Sequence, residues 1–160
     1  MNALIGITIL LFTLPSLASA QTPNSSWGQG YLFFALGARD TGSGALHIGG
    51  GGEGFVWRGL GLGAEIGAVW PWSGPGGEEE GLGSANLSYH FLPPTPDRKL
   101  EPFVTVGYSM QFRAGIRHGA NAGVGTNIWL RENLALRLEG RGHALKHWGL
   151  GEFRIGVTIR

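Results

Sequence analysis

The sequence predicts an all-β fold in which consecutive antiparallel strands close on themselves as a barrel. Three observations predict it. Apolar and polar residues alternate one by one along most of the chain, and successive side chains of a strand point to opposite faces. Turn chemistry interrupts the alternation at short intervals, the rhythm of consecutive hairpins. No segment shows a 3.6-residue period. The 30 glycines, 11% aromatics and 14% charged residues of this 160-residue chain suit neither a helical nor a disordered protein.

The alternation is clearest from Asn133 to Arg141. Leu134, Leu136 and Leu138 fall on one face; Arg137, Glu139 and Arg141 fall on the other. Leu, Ala, Arg and Glu are good helix formers individually. A helix would scatter both sets around its axis, so period decides for a strand.

Eight such segments follow one another. The first, Gly28 to Arg39, lines up Leu32, Phe34, Leu36 and Ala38, and ends at the turn Asp40 to Gly44. The second, Ala45 to Trp57, sets Leu46, Ile48 and Val56 against His47 and Glu53; Gly49 to Gly52 leave its register open. Arg58-Gly59 turns the chain into the third, Leu60 to Trp70, where Leu62, Ala64, Ile66, Ala68 and Trp70 oppose Glu65 and glycines. Pro71 to Gly81, with the run Glu78 to Glu80, reads as the longest polar loop. In the fourth, Leu82 to Phe91, Leu87, Tyr89 and Phe91 oppose Ser84, Asn86, Ser88 and His90. The proline-rich stretch Leu92 to Lys99 breaks the pattern.

The fifth strand, Pro102 to Phe112, has Val104, Val106, Tyr108, Met110 and Phe112 on one side. Arg113 to Gly119 turns into the sixth, Ala120 to Trp129, with Ala122, Val124, Thr126 and Ile128 opposite Asn121 and Asn127. Arg131-Glu132-Asn133 leads into the leucine strand. His143 to Gly149 reads as a loop. The last strand, Leu150 to Arg160, sets Phe153, Ile155, Val157 and Ile159 against Glu152, Arg154 and Thr158. Eight antiparallel strands can close and so remove their exposed edges.

The ends define two regions. Ala3 to Leu14 is an apolar run, followed by Pro15 and the small-x-small site Ala18-Ser19-Ala20. This is the pattern of a signal peptide, residues 1–20, cleaved before Gln21, although its n-region has no Lys or Arg. The run is too short for a membrane span. Residues 21–160 then form a single barrel domain. The chain has no cysteine, which excludes disulfides, thiolate metal sites and thiol redox chemistry. A net charge of +1 gives no field for nucleic acid.

Alternation does not say which face is inside; other features do. The only lysines, Lys99 and Lys146, fall in predicted turns, whereas a water-facing wall normally carries many. The polar parity is otherwise small residues and a few charges, which suits a narrow interior. About ten residues at ~3.3 Å rise and ~40° tilt span roughly 25 Å, the height of a lipid-facing band. Aromatics gather near strand ends, at Trp57, Trp70, Trp72, Phe91, Phe103, Phe112, Trp129 and Trp148, as interfacial girdles do, though Trp57 and Trp129 have inward parity. The sequence therefore predicts an eight-stranded antiparallel up-and-down transmembrane β-barrel with a polar interior. Glu53, Glu65, Arg137, Glu139, Arg141, Glu152 and Arg154 are expected in an interior network, with His47 and His90 nearby. Leu134, Leu136, Leu138, Phe153, Ile155 and Val157 are expected to face lipid. Buried charges need partners, so the expected interior is a plug of ion pairs and trapped water without a wide pore.

In this pattern the chain resembles small outer-membrane β-barrel proteins of the outer-membrane protein A transmembrane-domain type, over nearly all of residues 21–160. The resemblance rests on the signal peptide, the eight-strand rhythm and hairpins such as Asn127 to Arg141. It implies a bacterial outer-membrane location, membrane lipid and the outer-membrane assembly machinery as partners, and a monomer with both termini in the periplasm. The Asp40, Pro71, Arg113 and His143 loops would then lie outside. Such proteins usually end in an aromatic residue; this chain ends Thr158-Ile159-Arg160.

Little in the sequence points to catalysis. His118-Gly119-Ala120-Asn121 resembles the His-x-Ser-Asn segment of lipid A deacylase barrels, where serine is the nucleophile and histidine its base. Ala120 stands in the serine's place, and Glu132, an orienting acid by sequence, falls in a turn. His143 and His147 would share a face only in a helix, and none is predicted. Gly49 to Gly52 lacks the Lys-Ser/Thr of a phosphate loop and is expected to permit bending and close backbone approach. The sequence thus predicts a non-enzymatic barrel without cofactor or metal, serving envelope structure, surface interaction or very limited permeation. The alternatives are a lipid-modifying hydrolase and a soluble lipocalin-like barrel with its apolar face inward.

Overall fold

The computed structural model describes residues 27–72, 79–91, 99–113 and 115–160. The predicted signal peptide, the leader Thr22 to Ser26, most of the Pro71 to Gly81 loop and most of the proline-rich break lie outside the described residues. Eight strands run in sequence order: β1 Gly28–Arg39, β2 Gly44–Trp57, β3 Leu60–Pro71, β4 Glu80–His90, β5 Leu100–Phe112, β6 Arg117–Arg131, β7 Leu134–Leu145 and β8 Trp148–Ile159. Each pairs antiparallel with the next, and β1 pairs with β8, so the sheet is a closed barrel. Among the described residues there is no helix.

Closure satisfies every strand edge, which is what a wall facing hydrocarbon requires. The hairpin turns carry the residues that sharp reversals need. Arg58 and Gly59 both have positive φ, 25° and 86°, in the two-residue β2–β3 turn, the left-handed geometry of primed hairpins. His147, at φ 80°, serves the same purpose between β7 and β8.

Four strand limits differ most from the sequence reading. β7 and β8 extend through the predicted His143 to Gly149 loop: Asn121 pairs with His143, Gly119 with Leu145 and Leu145 with Trp148. Only Lys146 and His147 turn. The alternation Arg141, His143, Leu145 continues inward; Gly140 and Gly142 hid it by leaving the outward positions empty. β4 begins at Glu80, placing the last residue of the acidic run inside the barrel. β6 begins at Arg117, within the predicted turn.

Gly49 and Gly51 show what the glycine run permits. An added Cβ would lie 2.7 Å from the Phe33 ring at Gly49, and 2.7 Å from Glu65 Cβ and 2.9 Å from the Tyr31 hydroxyl at Gly51. The missing side chains let two aromatics of β1 lie across the lumen.

Parity is inverted relative to a soluble barrel. Outward Leu32, Ile66 and Phe153 are 72%, 64% and 59% exposed, whereas inward Arg154 and Glu139 are 1% and 2%. The lumen is filled. At the end carrying the β1–β2 and β7–β8 turns it is closed by an apolar cluster of Ala45, Val69, Leu82, Leu145, Trp148 and Leu150.

Candidate functional site: the charged lumen

The centre of the lumen is built by cross-strand pairing. Glu139 of β7 lies opposite Arg154 of β8, and Arg141 opposite Glu152, so opposite charges face each other in register. From β3, Glu65 reaches across to both arginines: its carboxylate accepts from Arg141 Nη1 at 2.9 Å and from Arg154 Nη1 at 3.0 Å, and from the Tyr31 hydroxyl at 3.1 Å. Glu139 accepts from Arg141 Nε at 2.7 Å and from Arg137 Nε at 3.2 Å. Glu152 accepts from Arg154 Nε at 2.5 Å, with His47 Nδ1 at 2.9 Å and His143 Nε2 at 3.3 Å. Three carboxylates thus meet three guanidinium groups, all buried.

Aromatic rings floor this network. Arg154 lies 4.2 Å from the centre of the Phe33 ring; Arg137 is held between Tyr31 and Phe103 at 4.3 and 4.0 Å. Cations over ring faces gain electrostatic attraction where water cannot supply it. On the opposite wall Ser109 receives the amide of Asn121 at 2.9 Å and contacts His143 Nδ1 at 3.0 Å.

The seven interior residues read from sequence all lie here. Five form the centre with Arg137; Glu53 sits toward the end carrying the termini. There Glu53 accepts from Gln29 at 2.5 Å and from Ser88, and lies 3.2 Å from His90. Sequence reasoning missed Glu101, which accepts from the Trp129 indole at 2.5 Å and from Arg160 at 2.9 Å and contacts His90 at 2.8 Å. It also missed His143, read as loop, and the Arg39–Glu80 pair at the far end, where Arg39 lies 4.1 Å over the Trp148 ring. Continuation of the inward parity past Arg141 was the signal for His143; Glu101, Glu80 and Arg160 stand at strand ends, where parity is shortest.

Of the predicted outward set, Phe153, Ile155 and Val157 are exposed, and Leu134, Leu136 and Leu138 half-exposed, on the outer face. The aromatic girdle is corrected at Phe103 and Trp148, which are buried in the lumen; Trp129, of inward parity by sequence, is buried there too, and the two indole N–H groups find Glu101 and Gln111. Trp57, expected inward, points outward because the register shifts between Phe55 and Trp57.

The geometry offers no catalytic set where the sequence raised one. His118 and Ala120 lie on the outer face, and the hydrogen-bond partner of His118 Nδ1 is the Tyr108 hydroxyl. Glu132 lies in the β6–β7 turn, at the opposite end of β6 from His118. Among the described residues no cluster of His, Asp or Glu has the geometry of a metal site.

A closed eight-stranded antiparallel barrel with an apolar exterior and a charged, filled lumen has the fold of small outer-membrane barrels. No protein-family model matches the chain, and no curated protein matches it in sequence. Solved structures share its fold. Neisserial surface protein A (NspA) superposes with a TM-score of 0.65 at 15% identity, over 82% of this chain and 94% of that one. The N-terminal β-barrel domain of Pseudomonas aeruginosa OprF gives 0.63 at 18%, over 82% and 96%. The outer membrane enzyme PagL gives 0.55 at 13%, over 81% and 98%.

Proposed function

We propose that the protein is an outer-membrane barrel that works without catalysis, as an envelope component presenting its outer loops to surface partners. The observation that carries this is the inverted polarity of a single closed wall. Leucine, valine, isoleucine and phenylalanine stand outside, where hydrocarbon would meet them, and paired charges stand inside. A soluble lipocalin-like barrel would need Leu134, Leu136 and Leu138 inside; they are on the outer face.

In this reading the predicted signal peptide delivers the chain for export, the outer-membrane assembly machinery inserts it, and it acts as a monomer. The filled lumen limits permeation to water and protons or excludes it. The turns at Asp40 and Lys146, with the strand ends beside them at Pro71, Glu80, Phe112 and Arg117, face outward. Non-catalytic function is supported by Ala120, which supplies no nucleophile, and by the separation of His118 from Glu132.

Cell fractionation combined with heat-modifiable gel mobility tests the reading. The protein should partition with outer membranes and shift between folded and unfolded bands on boiling. Recovery in the soluble fraction with a single band would overturn it. Replacing His118 with Ala should leave the acyl content of lipid A unchanged.

A further inference from the structure

The two ends of the lumen are closed differently. One end is apolar. The other, which carries the termini, is closed by ionisable groups from several strands. In the centre Glu65, Glu139 and Glu152 match Arg137, Arg141 and Arg154 one for one. At the mouth Arg160 pairs with Glu101 at 2.9 Å, whereas Arg137 reaches Glu53 only at 3.7 Å and is engaged by Glu139 at 3.2 Å. Two carboxylates and one arginine leave one negative charge to balance, and the group between them is His90.

Both nitrogens of His90 face carboxylate oxygen, Nδ1 at 2.8 Å from Glu101 and Nε2 at 3.2 Å from Glu53. Both contacts lie within ion-pair distance of a carboxylate oxygen. A neutral imidazole carries one N–H and one lone pair. It would have to turn that lone pair toward one of the two carboxylates. An imidazolium presents N–H to both. The ring is fixed by packing, stacked on Phe103 at 5.2 Å and edge-on to Phe55 at 5.0 Å.

Among the described residues, the side chains that line this mouth around His90 supply no further charge. β1 contributes Gln29; β2, Glu53; β4, Ser88; β5, Glu101; β6, Asn127 and Trp129; β7, Arg137; and the residue after β8, Arg160. Inward positions of β3 at this end are Gly61 and Gly63, and the Cβ that Gly61 lacks would fall 2.7 Å from the Glu53 carboxylate.

We propose that His90, as an imidazolium, is a pH-sensitive clasp that ties β2 to β5 through β4 and holds this mouth of the barrel closed. Loss of its proton leaves two carboxylates facing an uncharged ring in a site that excludes water, and the mouth loosens. The sign follows from linkage: stability that depends on a bound proton is present at low pH and is lost as pH rises through the titration of that ring.

The full barrel in detergent or lipid vesicles provides the test, with ¹⁵N NMR of its histidine rings and folded-band melting by heat-modifiable mobility. Between about pH 5 and pH 8, the range in which histidines change charge, the wild-type Tm should fall by several degrees. His90→Gln should lower Tm at the acid end and remove most of the pH-dependent fall. His47→Gln, at the other end of the network, should preserve it. If His90→Gln does not fold, Glu101→Gln should shrink the fall, because one carboxylate no longer needs the proton. Both ring nitrogens of His90 should carry protons at about pH 6, a readout on the wild-type protein alone. A bare ring nitrogen at that pH, or an unchanged Tm fall in His90→Gln, would overturn the proposal.

Discussion

Along β8, Phe153, Ile155 and Val157 stand on the outer face while Glu152, Arg154 and Thr158 stand in the lumen, each one residue from the other kind. The two faces depend on their surroundings in different ways. An outward side chain contributes through its transfer into lipid, nearly independently of its neighbours. An inward charge contributes only with its partners, because burial alone would expel it. Substitutions should therefore fail in different ways on the two sides of one wall.

The largest effect is expected inside. Arg154→Met removes the group that both Glu65 and Glu152 contact, leaving buried carboxylates underpaired. It should cost about 3–5 kcal/mol of stability, read by urea unfolding in lipid vesicles. A loss below about 1 kcal/mol would mean that water reaches the lumen. Next is the outer face at midstrand: Leu136→Arg should cost roughly 2–4 kcal/mol near the bilayer midplane. A negligible cost there would break the comparison from the lipid side.

Two smaller effects sharpen it. Arg39→Gln, at the partly buried end of the lumen, removes the pair with Glu80 and the packing on Trp148 and should cost about 1.5–3 kcal/mol. The exposed Arg113–Glu79 pair lies outside the lumen, and Glu79→Gln should change stability by less than about 1 kcal/mol. If the two pairs cost the same to break, burial is not what sets the value of a charge in this barrel.

The strand order and both faces were legible because a period of two survives wherever turn residues bound it. Asn133 to Arg141 is the clearest case: its leucines and its charges stand on opposite faces of β7. The network was less legible at its edges. His143 was hidden because Gly140 and Gly142 break the apolar half of the pattern while the inward half continues. Glu101 follows a proline-rich break and has almost no strand before it. Phe103 and Trp148 were grouped with interfacial aromatics because a position near a strand end does not reveal the face; the indole partners of Trp129 and Trp148, Glu101 and Gln111, come from other strands. Pairings such as Glu65 with Arg154 depend on barrel closure, which no local pattern encodes.

The inversion itself can be measured on β5, whose inward residues Thr105 and Ser109 are small and uncharged. The chain has no cysteine, so single cysteines at 104, 105, 106 and 109 can each carry a nitroxide in lipid vesicles. Relaxation by oxygen, which concentrates in hydrocarbon, should be strong at 104 and 106; sites 105 and 109 should resist labelling or remain shielded. Strong oxygen relaxation at 105 and 109, with 104 and 106 reached by a water-soluble nickel complex, would contradict the inverted barrel.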